Sequence, residues 1–347
     1  MTRAYMDWNA TAPLHPEARE AMFAAMDAVG NPSSVHAEGR VATGIIEKAR
    51  KQISDAFGAH TADIAFTSGA TEAAALSLAK TDIVASDIEH DCVWAWTANT
   101  LAANHDGIVV VQEPVKTALQ AANSETGVLQ DLPTGLYLSD FVQAFGKTAC
   151  AFDWADTTIG LLSAHKIGGP KGVGAFVIKQ GVEVIPQIKG GGQEQGRRSG
   201  TENVIGIAGF GAAAEAASRD LSNGVWGEVA ELRDYLENRI AEAAPDAVFF
   251  GQNVKRLPNT SNFAVAGWKG ETQVMQMDLA GFAISAGSAC SSGKVKASKV
   301  LQAMGFDDIT ASSAIRVSLG PTNTKDEIDG FVSAWGKAYT KFRAKAA

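Results

Sequence analysis

The sequence predicts an α/β protein, with a large, mostly parallel α/β domain and a small C-terminal α+β domain. Three observations predict it. Short runs that are apolar throughout alternate with amphipathic segments over the first two thirds of the chain, as expected of strands covered on both faces by helices. Past Pro245 the texture changes to strand-like runs interleaved with fewer helices. The 347 residues exceed one ordinary domain and suit two. The expected division gives the large domain residues 14–244 and the small one residues 1–13 and 245–347.

The first two elements are helical. Residues 16–29 carry Ala18, Met22, Met26 and Val29 on one face, with Pro16 in the first turn and Gly30 as the stop. Val41, Ile45, Ala49, Ile53 and Phe57 recur every fourth residue and end at Gly58. Strands are expected at 63–66, 83–85, 108–112, 136–138, 159–162 and 174–178. Residues 203–218 form a small-residue helix, and Val229, Leu232, Leu236 and Ile240 mark a longer one. Beyond it, strands are expected at 247–250, 262–265, 282–285 and 315–319, with helices near 271–279 and 324–341.

Composition excludes several functions. Thirty-eight acidic against 30 basic residues give a net charge of −8, which opposes a non-specific grip on nucleic acid or anionic membrane. No apolar run is long enough to span a bilayer, and the N-terminal MTRAYMDWNATAP lacks the apolar stretch of a secretory signal. Cys92, Cys150 and Cys290 are too few and too dispersed for a disulfide framework or a metal site, so no metal is expected and the reducing cytoplasm is the expected location.

Six segments carry chemistry. FTSGATE (66–72) runs from a strand through Ser68, Gly69 and Ala70 into an alanine-rich helix. A helix N-terminus with a Thr71 hydroxyl suits a phosphate, although Thr71 as a plain cap is the better reading of this segment taken alone. SAHKIGGPKGVGA (163–175) delivers Ser163, His165 and Lys166 from a strand end into a glycine-rich turn. A lysine so held can form a Schiff base with a carbonyl cofactor such as pyridoxal phosphate, PLP, whereas Lys171 reads as a surface residue. Asp140 follows the expected 136–138 strand and precedes Gln143. A carboxylate there can keep a pyridine nitrogen protonated, or can simply cap a turn. In SAGSACSSGK (285–294), Cys290 sits among small polar residues with Lys294 and Lys296 nearby, which favours a reactive thiolate, while Cys92 and Cys150 have the apolar neighbours of buried thiols. Arg316 stands on the opposite strand face from Ile315, Val317 and Leu319, placed either to grip a carboxylate or to form a structural ion pair. GGGQEQGRRSGTEN (190–203) combines glycines, two arginines and Thr201 ahead of a helix, as an anion contact or a flexible loop.

In their order these motifs resemble a PLP-dependent fold-type I enzyme of aminotransferase class V, and within that class a cysteine desulfurase. The resemblance runs nearly end to end, through MDWNATAPLHP (6–16), GNPSSVH (30–36), FTSGATE, IEHDCVW (88–94), SETGVLQ (124–130), DFVQAFGK (140–147), SAHKIGGPKG, RRSGTEN (197–203), SAGSACSSG and SSAIRVSLG (312–320). It implies that Lys166 carries PLP, Asp140 pairs with the pyridine nitrogen, His90 stacks on the ring and assists proton transfer, and Gln143 contacts the ring hydroxyl. Ala70, Thr71, Ser163 and His165 would hold the phosphate, joined by Thr201 from the second subunit of a homodimer. Arg316 would bind the carboxylate of L-cysteine, with Asn31 nearby. Cys290 would attack the substrate sulfur and keep it as a persulfide, releasing alanine, for transfer to an acceptor protein that the sequence does not name. The same scaffold also serves selenocysteine lyases, cysteine-sulfinate desulfinases and aminotransferases, or a weakly active PLP-binding scaffold protein.

The chain departs from the family pattern. Ser124 stands at the second position of an asparagine pair, where the ring contact is expected, leaving Asn123 as a substitute. Gln193 replaces a histidine of the glycine-rich loop. The stretch from Lys80 to Gly127 is compressed, leaving no room for the helix that usually precedes the asparagine strand.

Overall fold

The computed structural model describes residues 3–287 and 297–346. Strands Ala62–Thr67, Gly174–Lys179, Ile159–Ser163 and Leu138–Asp140 lie side by side in that order. The last two are parallel, while Gly174–Lys179 runs antiparallel to both its neighbours. Parallel single bridges, Leu138 to Ala118 and Thr117 to Val84, carry the surface on to Val84–Ser86 and its parallel partner Ala98–Leu101. Among the described strands of this surface, one therefore opposes the rest, and the mostly parallel expectation holds.

Period-two alternation divides the sheet's side chains between two cores. Ala175 and Val177 face one core with Phe66, Leu162, Ile53, Phe57 and Phe210. Phe176 and Ile178 face the other with Ala73, Leu76 and Leu161. Helices Pro16–Met26, Ala37–Phe57 and Val204–Ser222 contribute to the first, and Ala70–Leu78 to the second. The small-residue helix is small because its neighbours press on it. A Cβ on Gly211 would stand 2.6 Å from Ala49 Cα, so only glycine permits that backbone approach.

The C-terminal sheet is antiparallel, in the order Ser285–Ala286, Ala314–Ser318, Thr260–Ala264, Val248–Phe249. Its core gathers Phe263, Ile315, Val317, Trp268 and Trp335. Ala4 and Met6 join it, and Ala4–Tyr5 pairs in parallel with Phe282–Ala283, so the first residues pack with the C-terminal unit. Helix Val225–Ala243 also buries Val229, Leu236 and Ile240 there, although it precedes residue 245. By packing, the two units meet ahead of this helix.

Several elements differ from expectation. The first helix ends at Met26, leaving Met26 and Val29 exposed, because Asp27 takes the C-cap and Val29 lies beyond it. In the second helix the buried stripe is Ala42, Ile46, Ala49, Ile53 and Phe57, while Val41 is exposed. Strict four-residue steps advance further than one 3.6-residue turn, so they drift off the buried face. Residues 108–112 form no strand. Val109 makes one bridge to Ala103 and buries its side chain against Leu301 and Met304. Between Trp94 and Leu138 the described chain has no α-helix, as the compression of that stretch predicts.

Candidate active site

A cavity of about 1050 Å³ opens where the two units meet. Each wall comes from an element end. The Ala62–Thr67 strand passes through Ser68 and Gly69 into helix Ala70–Leu78, whose first-turn N–H groups have no intrahelical acceptor. Ala70 and Thr71 line the cavity there. Gly174 makes this turn possible. A Cβ on it would stand 2.7 Å from Gly69 Cα. Strand Ile159–Ser163 ends at Ser163, and a 3-10 turn, Ala164–Lys166, presents His165 and Lys166, all three lining the cavity. Lys171, expected at the surface, is exposed and also lines it.

Asp140 is the last residue of the Leu138–Asp140 strand, two positions later than the sequence pattern puts the strand's end. Its Oδ1 accepts the Val142 N–H at 2.8 Å. Burial pushes its carboxyl up, against the charges of His90 and Lys166. Gln143, 4% exposed, lines the same wall. Lys166 Nζ donates to the main-chain oxygens of Asn9 and Ala10 at 2.6 and 2.9 Å. Burial, with the charges of Lys166 and Lys171, lowers His165 to about 4, so its ring is neutral near pH 7.

His90 caps the short helix Asp91–Trp94 by accepting the Cys92 N–H on Nδ1, and Cys92 Sγ lies 3.0 Å from the same nitrogen. Cys92 is thus buried, as expected, yet in the cavity wall, where burial raises its thiol. Cys150 is pushed up to about 12 by burial and stays a thiol. Glu89 is fully buried, and burial raises it to about 8. Oε1 accepts the Gln120 N–H at 2.7 Å, and Oε2 has no hydrogen-bond partner among the described residues.

Arg316, on the Ala314–Ser318 strand, reaches the cavity from the C-terminal unit. Its guanidinium pairs with Asp7 Oδ1 at 2.8 Å and donates to Ser124 O at 2.9 Å, and its Nε has no hydrogen-bond acceptor among the described residues. Asp7 is held in turn by the Ser285 hydroxyl at 2.9 Å. Ser124 lines the cavity. Asn123 does not replace it: its amide braces the turn by donating to Ile88 O and accepting the Glu125 and Thr126 N–H groups.

The structure thus brings Ala70, Thr71, His90, Ser124, Asp140, Gln143, Ser163, His165, Lys166 and Arg316 to one cavity. Asn31 and Thr201 lie outside its lining and are exposed in the single chain, and Asn31 accepts the Ser33 N–H. Cys290 lies outside the described residues, while Gly287 and Ala297 both line the cavity. The two arginines of the glycine-rich loop are taken by carboxylates, Arg197 by Asp63 and Arg198 by Glu72. Residues that sequence reasoning missed are Asp7, Asn9, Glu89 and Cys92. All sit within quoted motifs, but nothing in their local pattern marks a role.

The donor set fits PLP. The cavity offers a helix N-terminus for a phosphate, a buried carboxylate for a pyridinium and a lysine amine for an aldehyde.

Comparison with known proteins agrees. A family model described as "Aminotransferase class-V" matches residues 4–331. A protein named cysteine desulfurase from Cereibacter sphaeroides is 36% identical, the match covering 99% of this chain and 97% of that one. One named cysteine desulfurase IscS from Dictyoglomus turgidum is 34% identical over 98% of this chain and 95% of its own. Among solved structures, a NifS-like protein from Rickettsia africae superposes with a TM-score of 0.88 at 32% identity, covering 97% of this chain and 99% of its own.

Proposed function

The chain belongs to the class-V aminotransferase family, with the function of a cysteine desulfurase, and from that premise we propose that it converts L-cysteine to L-alanine and keeps the sulfur as a persulfide on Cys290. The observation that carries this reading is the convergence of Lys166, Asp140, His90 and Arg316 on one cavity.

When bound, PLP withdraws electrons from the substrate's Cα. The residues of the chain do the rest. Ala70, Thr71, Ser163 and neutral His165 hold the phosphate, and Thr201 of a second copy completes that contact in a homodimer. Asp140 keeps the pyridine nitrogen protonated. His90 stacks on the ring, its Nδ1 already accepting the Cys92 N–H, so a proton is exchanged at Nε2. Lys166 moves the Cα proton from the bed of carbonyls at Asn9 and Ala10. Arg316 takes the substrate carboxylate, satisfying its buried Nε. The Cys290 thiolate attacks the substrate sulfur. An S–S bond forms, the C–S bond breaks, and the three-carbon skeleton takes up a proton and leaves as alanine. The persulfide sulfur then passes to an acceptor protein in the cytoplasm.

The test is alanine and sulfide production from L-cysteine by the purified protein, with a mass spectrum of Cys290. A 32-Da adduct on Cys290, absent from Cys290→Ala, is expected. Sulfide release at the wild-type rate by Cys290→Ala would refute the thiolate step.

A further inference from the structure

Behind the cavity wall lies a lysine that the reaction outlined above does not use. Lys147 is 1% exposed, buried more deeply than Lys166, and the described residues offer it no carboxylate partner. Its Nζ donates to Gln143 Oε1 at 2.7 Å and to Asn9 Oδ1 at 3.2 Å. Two acceptors match the two N–H groups of a neutral amine, whereas an ammonium would bury a third donor without an acceptor. Burial holds this amine well below the ordinary lysine range, and the charges of Lys166 and Arg316 act in the same direction.

The contacts of Gln143 fix which way its amide is turned. One end faces the main-chain oxygen of Asn9 at 3.0 Å. A carbonyl only accepts, so that end is the nitrogen, and the end facing Lys147 is the oxygen. The same Asn9 oxygen accepts from Lys166 Nζ at 2.6 Å, which sets the Gln143 amide beside the amine that takes the cofactor. With Oε1 held by Lys147 and one N–H held by Asn9, the group left for the cavity is the second amide N–H.

We infer that Lys147 is a positioning residue: it locks the Gln143 amide so that this wall presents an N–H donor, never a carbonyl, to the phenolic oxygen of the cofactor's ring. The inference rests on the reading of the cavity as a PLP site. Without Lys147 the amide keeps only the Asn9 carbonyl of its two orienting partners, and its oxygen, left without a donor, is free to turn toward an oxyanion that it repels. A donor on the phenolic oxygen stabilises the anionic ring and so favours loss of the proton from the lysine–PLP linkage. Removing the donor raises the pH at which that proton is lost.

The experiment reads the pH midpoint of the lysine-bound PLP absorbance in the full-length, reconstituted protein. Wild type, Lys147→Met, Gln143→Leu and the double variant are compared. Lys147→Met is expected to raise the midpoint by about one unit, a tenfold change in the proton equilibrium. In the Gln143→Leu background Lys147→Met should add nothing, because it acts through that amide. An unmoved midpoint in Lys147→Met, or the same shift with and without Gln143, overturns the inference while leaving the PLP reading intact. A wild-type protein that forms no lysine-bound absorbance overturns both. Where Lys147→Met does not fold, Lys147→Gln, one atom shorter and so withdrawn from Oε1, carries the test. A smaller shift in the same direction supports the inference, and no shift overturns it.

Discussion

The two ends of the cavity are built in different ways. The phosphate and lysine end comes from short contiguous stretches, residues 66–72 and 163–174, in which a strand hands over directly to a helix or turn. The substrate end has no such unit. Arg316 is positioned by Asp7 and by Ser124, 309 and 192 residues away. Glu125 meets Ser298 across 173 residues, where the Ser298 hydroxyl donates to Oε2 at 2.5 Å. The difference teaches that, on the proposed reading, the phosphate and lysine turns are encoded locally, while the substrate end depends on the N-terminal segment and the C-terminal sheet being in place together.

The comparison can be broken most directly at its local end. Lys166→Ala should abolish the cofactor absorbance that borohydride otherwise traps covalently, and a trapped adduct in the variant would remove Lys166 from the assignment. At the distributed end, Arg316→Ala should raise KM for cysteine by about one to two decades, the loss of a charge-assisted contact of roughly 1.5–3 kcal/mol, and weaken PLP binding far less. An unchanged KM, measured by initial-rate kinetics, would uncouple the two ends differently from the structure. Ser298→Ala removes both a helix N-cap and the donor to Glu125, and should lower stability by about 1–2 kcal/mol in urea unfolding. A midpoint equal to wild type would show that the long-range contact contributes nothing.

The smallest effect concerns pH. Glu89 is raised to about 8 in the folded chain from an ordinary value of 4.5, so folding favours its protonated form. That contribution is complete below the unfolded value and is lost as pH rises through about 8. Glu89→Gln cannot ionise, so in thermal melts from pH 6 to 9 it should decline less than wild type, by about 2–4 °C. Parallel melting curves would place the Glu89 proton elsewhere.

The same contrast governs what the sequence made legible. Thr71, Ser163, His165 and Lys166 announce themselves because a strand, a turn and a helix start follow one another within a few residues. Arg316 stands out as one charge on an apolar strand, although its ion pair with Asp7 is a tertiary fact. Asn9 shows no local signal. Its side chain contacts Ser124, Lys147, Asn259 and Thr260, and its carbonyl contacts Gln143 and Lys166. Cys92 looked like an ordinary core thiol because its neighbours are apolar in sequence, yet the bend after His90 turns it into the cavity wall. The 108–112 run has strand composition but no continuous ladder beside it, and burial against residues 301–304 satisfies its apolar side chains instead.

The N-terminal segment has a consequence for biosynthesis. Translation delivers residues 4–10 long before these partners: Tyr5 pairs with Ala283, and the Asn9 N–H donates to the Ser318 hydroxyl. The carbonyls that cradle Lys166 therefore keep only the anchors beside the lysine turn, Ala12 to His165 and His15 to Gly168, until residues 283 and 318 have been made. A nascent chain long enough to display both the phosphate turn and the lysine still lacks the C-terminal half of the anchorage beneath that lysine. On the proposed reading, cofactor retention then waits for the C-terminal sheet, and a chain stalled short of the Ala314–Ser318 strand has no completed site.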